Sequence, residues 1–257
     1  MAWTRRYEDA EPQRVNRWLA QSGVCSRREA EGLIADGLVS IDGETVNDAG
    51  RKILPGQTLV LADRATAKLE SALTVMLHKP VGVVSGTPEG EQIPAVRLLT
   101  KAALQGASPS IPGFKNKFAP VGRLDQDSRG LLILSEDGVV AKAVIGPASD
   151  LEKEYIVRVA GKIDARKLAM LRWGLELDGR KLKHAKVEEI GAQTLRFILK
   201  EGRNRQIRRM CDLVELRVVD LLRVRVGDLA LGDLPEGKWR VLTAEERASL
   251  IKGGAGA

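Results

Sequence analysis

The first sixty residues switch between helical and strand periodicity. In "RVNRWLAQSG", Val15, Trp18 and Leu19 recur at helical spacing, and Gly23 follows as a C-terminal cap. Ser26 opens a second helix, "SRREAEGLIADG", with Glu29 three residues on in a capping-box pattern and Gly37 at its end. Alternating stretches come next, "LVSIDGETV" and "KILPGQTLVL", with turns at "DG" (42–43) and "PG" (55–56). This pattern predicts a compact ααβ unit over residues 12–62. The polar stretch 63–72 reads as a linker with room for some helix, and relative domain motion is the default expectation.

The remainder, 73–250, reads as a second domain that begins at the apolar strand "LTVMLHKPVGVVSG". Residues 86–119 lack periodicity, and "QGASPSIPGFKNKF" within them is rich in Gly, Ser, Pro and Lys, as a surface loop is. Strand patterns return in "GLLILSEDG", "KEYIVRVAG", "KHAKVEEIG" and "QTLRFILKEG". Helical ones appear in "GVVAKAVIG", "DARKLAMLRWG" and "NRQIRRMCDLV". Strands dominate and hairpins are frequent, so the fold class is α+β with a mainly antiparallel sheet. Only the "GGAGA" tail is of low complexity.

Charge changes the picture. A formal net charge of +7 and a pI near 9.5 point to a polyanionic partner, nucleic acid before any other. In the first unit the positive charge lies on the helices, at Arg14, Arg17, Arg27 and Arg28. That ααβ segment, with "SRR" after its first helix and the "IDG" hairpin, resembles the S4 RNA-binding domain. Arginines on one helix face, with Ser26 beside them, suit phosphates and the shape of a folded RNA. A merely solvated basic face is the alternative.

Other classes drop away. Cys25 and Cys211 are far apart in the sequence and in no metal-like spacing, and a reducing cytoplasm is the simplest setting for them. His78 and His184 are too few and too scattered for a metal site or a Ser/His/Asp triad. Walker-type and GxGxxG loops are absent from the sequence. The N-terminus has no secretory pattern, and no apolar run reaches membrane-spanning length, so membrane association is not expected.

Three stretches carry the candidate chemistry. "GRLDQDSRGLLILSEDG" (122–138) sets Asp125 at the edge of a buried run, although turn aspartates are common. "LEKEYIVRV" (151–159) puts Tyr155 on one face with Lys153, Val157 and Val159, a position that serves core packing or base stacking. "KEGRNRQIRRMCDL" (200–213) packs Arg203, Arg205, Arg208 and Arg209 around a strand-to-helix junction. Arg205, Arg208 and Arg209 crowd one helix face, at a few tenths of a kcal/mol per pair unless an anion compensates. Ile207 and Met210 point to the core.

In order and spacing these motifs resemble the Rsu-type pseudouridine synthases, in which an S4 domain precedes the catalytic domain. "HKPVGVVS", "NRQIRRMC" and "GKWRVLT" look most like the Rlu F branch, which acts on large-subunit ribosomal RNA. The resemblance spans roughly Arg14 to Leu250. It implies a curved mixed, mainly antiparallel sheet with flanking helices. It also implies that Asp125 is the catalytic nucleophile, Arg123 helps hold the target uridine out of its helix, and Tyr155 stacks on the base. Arg208 then ion-pairs with Asp125, and Ile207 lines the pocket. Lys79, Arg203, Arg205 and Arg209 join the helix arginines as RNA contacts. The implied partner is ribosomal RNA, bound by a cytoplasmic monomer; the same chemistry on transfer RNA or small-subunit RNA, or a non-catalytic RNA binder, are the alternatives.

The reaction needs little apparatus. The N1–C1′ bond breaks, the base rotates and C5 bonds to C1′, so no redox change occurs and no cofactor or metal is expected. It does need an ionised carboxylate, which a neighbouring arginine favours, and a base extruded from its stack. One departure from the family concerns "LVELRVV" after "RRMCD", where relatives often carry a glycine. The turn around Glu215 is therefore expected to be built differently.

Overall fold

The computed structural model describes residues 2–113 and 116–254. Positions 114–115 of the expected loop and 255–257 of the tail lie outside the described residues. The chain divides into two compact units, Met1–Thr74 with Ser135–Lys142, and Val75–Leu134 with Ala143–Ala257.

In the first unit, helices α1 (Val15–Gln21) and α2 (Arg27–Ala35) form where the periodicity put them. Strands β1 (Trp3–Arg6), β2 (Val39–Ile41), β3 (Glu44–Thr45) and β4 (Thr58–Leu61) make a sheet ordered β1-β4-β2-β3. Val15, Leu19, Leu33, Ile34 and Leu59 fill its core, and Tyr7 meets Trp18 edge-on at 5.4 Å. The capping box is formed: Ser26 Oγ accepts from Glu29 N at 3.2 Å, and Glu29 Oε2 accepts from Ser26 N at 2.6 Å.

Two readings of this region need amending. Strand β1 precedes residue 12 and completes the sheet, and its exposed charged side chains concealed it from a periodicity reading. Residues 63–72 are mostly helix α3 (Asp63–Glu70), whose Ala65 is fully buried in the first unit's core. One small buried residue per two turns leaves too narrow an apolar stripe to stand out in a polar sequence.

The second unit is built on a large sheet. Its strands are β5 (Thr74–Lys79), β6 (Ala119–Val121), β7 (Arg129–Ser135), β8 (Lys153–Ala160), β9 (Lys186–Gly191), β10 (Thr194–Leu199), β11 (Arg217–Val226), β12 (Leu229–Ala230) and β13 (Trp239–Val241). The order is β9-β10-β8-β11-β7-β5-β13, with β6 on β7 and β12 on β11. The β8–β10, β8–β11, β9–β10, β11–β12 and β5–β13 pairs are antiparallel, and β7–β11 is parallel, so the sheet is mixed. Helices α5 (Ala165–Arg172), α6 (Gln206–Leu213) and α7 (Ala244–Gly254) flank the strands in sequence, and α4 (Gly138–Ile145) begins in the stretch that belongs to the first unit. Between 86 and 119 the described residues contain only short elements, including 3-10 turns at Ala95–Leu98 and Lys101–Ala103.

β11 is the longest strand, and no periodicity announced it. It carries Asp220, Arg223 and Arg225 among its apolar residues; Asp220 pairs with Arg129, Arg225 with Glu154, and Arg223 reaches the loop described next.

Candidate active site

A clamp sets Asp125. Leu124 is buried, and Ser85 Oγ both accepts from Leu124 N (2.9 Å) and donates to Leu124 O (2.6 Å). Gly82 N donates to Gln126 O at 2.8 Å, and Ser128 N to Asp125 O at 3.1 Å. With the residues on either side pinned by the backbone, the Asp125 side chain projects outward, about a third exposed.

The arginines of α6 meet this loop differently from expectation. Arg205 forms a two-point pair with Asp127, both contacts 3.0 Å, and reaches Asp125 Oδ2 at 3.7 Å. Arg208 contacts Asp127, not Asp125. Its Nη2 donates to Asp127 O at 2.7 Å and to Ser128 Oγ at 3.3 Å, and its Nε lies 3.3 Å from Asp127 Oδ2. The reach explains the change, because Arg208 is spent on the backbone two residues beyond Asp125. Arg205, held in the left-handed region at φ 49° just before α6, points its guanidinium along the loop instead. Burial raises the Asp127 carboxyl's pKa, but the hydrogen bond from Arg205 and the charges of Arg208 and Arg205 outweigh it, and the net shift is downward.

The other arginines of the cluster are also satisfied within the protein. Arg209 makes a two-point pair with Asp178 (2.9 and 2.6 Å). Arg203 donates to the carbonyls of Leu177, Arg180 and Lys181. The anions that relieve the like-charge crowding are therefore the chain's own carboxylates, and neither Arg203 nor Arg209 is an unoccupied RNA contact. Lys79 needs the same correction. It is fully buried, its Nζ donates to Pro80 O and Val83 O at 2.7 Å, and burial pulls its pKa down to about 8 against the raising influence of Asp125 and Asp127.

Beneath the loop sits Arg223, a residue the motifs did not flag. It is 2% exposed; its Nε donates to Leu131 O at 2.7 Å and its Nη1 to Arg123 O at 3.3 Å. In the β8–β11 register it lies opposite Tyr155. Arg223 thus joins the strand of Tyr155 to the loop of Asp125. Tyr155 is 8% exposed within the main core, Ile207 is buried in the same core, and the Arg123 side chain is exposed. Cys25 and Cys211 are buried and free, and burial pushes both thiols up to about 12, which makes them inert packing residues. In the first unit Arg14, Arg17, Arg27 and Arg28 are exposed, while Ser26 is engaged in capping α2.

The family model for RNA pseudouridylate synthase matches residues 73–213, and that for the S4 domain matches 13–59. The chain belongs to the RNA pseudouridine synthases. It is 32% identical over 241 residues to the dual-specificity RNA pseudouridine synthase RluF of Escherichia coli (strain K12), covering 93% of this chain and 78% of that protein. To an uncharacterised RNA pseudouridine synthase of Aquifex aeolicus it is 34% identical over 246 residues, with 93% and 94% covered. A crystal structure of a pseudouridylate synthase superposes with a TM-score of 0.63 at 26% identity, over 92% of this chain and 99% of that one. The enzyme is accordingly an isomerase with an S4 domain ahead of its catalytic domain. Among the described residues no group of His, Cys, Asp and Glu side chains is arranged to hold a metal ion, and no helix is long and apolar enough to cross a membrane.

Proposed function

We propose that this pseudouridine synthase converts a uridine of large-subunit ribosomal RNA to pseudouridine, with Asp125 as its nucleophile. One observation carries the residue assignment. Asp125 is the carboxylate that the Ser85–Leu124 clamp turns outward beside Arg205, while Asp127 is consumed by two arginines. Asp125 attacks the ribose or takes its C2′ proton, the N1–C1′ bond breaks, and the freed uracil turns. C5 then bonds to C1′, and the C5 proton is replaced by one on N1. Atoms balance within the nucleotide.

In this reading Arg205 takes the electrostatic role that the resemblance gave to Arg208, because it is the arginine next to Asp125. Arg208 fixes the loop through Asp127 and Ser128. Tyr155 stacks on the extruded base, Ile207 lines its pocket, and the exposed Arg123 fills the space the uridine leaves. Arg14, Arg17, Arg27 and Arg28 bind phosphates from a domain spanning about residues 12–62. The preference for large-subunit RNA rests on the likeness to the RluF group, whose members are named as dual-specificity enzymes. The same reading is of a monomer in the cytoplasm.

Asp125→Asn tests the assignment. Pseudouridine formation on transcribed large-subunit RNA is expected to vanish while RNA affinity stays within about twofold of wild type. Turnover surviving in that variant would remove Asp125 from its role. Mapping pseudouridines in cells lacking the protein names the RNA, and a loss confined to transfer RNA would overturn the large-subunit reading.

A further inference from the structure

Trp173 stands apart from the other large apolar side chains. It is 66% exposed, the highest value among the exposed large hydrophobics of the described residues. An exposed tryptophan leaves a wide apolar ring in water, and its usual use is a contact with a partner. Its ring lies beside that of His184, centroids 5.9 Å apart and planes tilted by 40°.

The pair is held on a rigid base. Trp173 follows α5, and its N–H donates to Ala169 O at 3.1 Å. Ala185 N donates to Arg172 O at 3.0 Å, and Arg172 Nε to Val187 O at 2.8 Å, so the segments before Trp173 and after His184 are tied directly together. Between them the antiparallel hairpin Glu176–Leu177 with Arg180–Lys181 is clamped from α6 by Arg203 and by the Arg209–Asp178 pair. Two rings are thus presented to solvent in a fixed place with little ordering entropy left to lose.

The surroundings point to one kind of occupant. In the segment that carries the rings, 172–186, Arg172, Arg180, Lys181, Lys183 and Lys186 are exposed against Glu176 and Asp178; Asp178 is paired with Arg209 and Lys186 with Glu152, which leaves the segment cationic. Exposed aromatic rings set among cations are the elements of a nucleotide-binding surface. The ring stacks on a base, and the basic groups take the phosphates on either side. A docking face for a protein would carry a continuous apolar patch rather than a single ring in a segment rich in lysine and arginine.

We propose that Trp173 and His184 form a stacking platform for an unpaired nucleotide of the substrate RNA, distinct from the uridine that reacts. The platform deepens the reading of the enzyme as an RNA-modifying isomerase and rests on it for the choice of RNA. It supplies affinity and register and touches no reacting atom.

Trp173→Ala and Trp173→Phe, assayed on the full-length protein with transcribed large-subunit RNA, test it. For Trp173→Ala, KM is expected to rise about tenfold with kcat within about twofold, and Trp173→Phe to recover most of the loss. Adding RNA to wild type is expected to quench a fluorescence component that both variants lack, since Trp18 and Trp239 are buried and the partly buried Trp3 is common to all three proteins. An unchanged KM for Trp173→Ala, or a wild-type quench that persists in it, would overturn the platform. So would an Ala-variant defect that Phe does not relieve. A wild type that binds this RNA without modifying it would count against the proposed reaction alone, because the Kd ratio of Trp173→Ala to wild type still decides the platform. Self-association that disappears in Trp173→Ala, without an effect on RNA affinity, would assign the ring to a protein contact instead.

Discussion

Arg205 and Asp127 are joined by a two-point ion pair, Nη1 to Oδ1 and Nη2 to Oδ2, each 3.0 Å. The same Nη1 lies 3.7 Å from Asp125 Oδ2, so one guanidinium serves two carboxylates two residues apart. Asp127 also receives Arg208. In Asp127→Asn Arg205 loses its two-point partner and no longer holds its place beside Asp125, while Arg208 keeps its contacts with Asp127 O and Ser128 Oγ. We expect kcat to fall about tenfold or more with RNA affinity little changed, read from steady-state kinetics. A kcat equal to wild type would show that the pair does not position Arg205. The net downward pKa shift of the Asp127 carboxyl also has a stability consequence. Its contribution is present above the carboxyl's unfolded pKa and is lost as pH falls through the folded one. Denaturant midpoints of wild type and Asp127→Asn should therefore converge in acid, from a neutral-pH gap under about 1 kcal/mol because the pair is half exposed.

Lys79 also has a lowered pKa, but here it is the charged form that the fold disfavours. Burial lowers its pKa to about 8 in the folded protein, so the unfolded chain binds more protons between there and the ordinary lysine value of 10.5. Stability should rise with pH across that window, by up to about 3 kcal/mol from this group. In Lys79→Met that part of the rise is absent, and urea midpoints at pH 7.5 and 10 in the two proteins measure it. Parallel curves would refute the assignment.

Gly130 crosses Arg223 at the parallel junction of β7 with β11. Its φ is +111°, and a Cβ there would meet Arg223 O at 2.3 Å and Arg223 N at 2.6 Å. Both atoms are backbone and cannot swing aside. Gly130→Ala should destabilise the protein by more than about 2 kcal/mol and displace Arg223, the residue that holds the Arg123 carbonyl. Thermal unfolding checks the first effect and turnover the second.

Glu215 is the converse case. It has φ +56° in the turn after α6, and its side chain is 90% exposed, so its 3.8 Å ion pair with Lys167 adds little. A non-glycine residue in that region costs about 1–2 kcal/mol, partly offset by glycine's greater chain entropy. Glu215→Gly is expected to stabilise the enzyme by about 0.5–1 kcal/mol without altering turnover, as read from denaturant titration. A loss of stability would mean that the backbone here is not strained.

Local patterns determined much of this protein. Helical spacing at Val15, Trp18 and Leu19, the Ser26–Glu29 capping box, and the alternation of Tyr155, Val157 and Val159 each encode an element within a few residues. The structure has those elements there. The motif around Asp125 and its order relative to the other two motifs identified the family for the same reason, since contiguous residues carry it. Pairing across the chain was not legible. Which carboxylate Arg205 and Arg208 reach depends on how far α6 stands from a loop some eighty residues earlier, and only the folded sheet sets that distance. Lys79 read as an RNA contact and Arg223 went unflagged because composition cannot say which side of a strand is covered, and β11 stayed unseen because charged residues interrupt its apolar run. Trp173 was hidden the other way, a hydrophobic residue that the C-terminus of α5 turns outward. Periodicity is a short-range property and was read from the chain; burial and charge pairing are long-range ones, and the tertiary structure decided them.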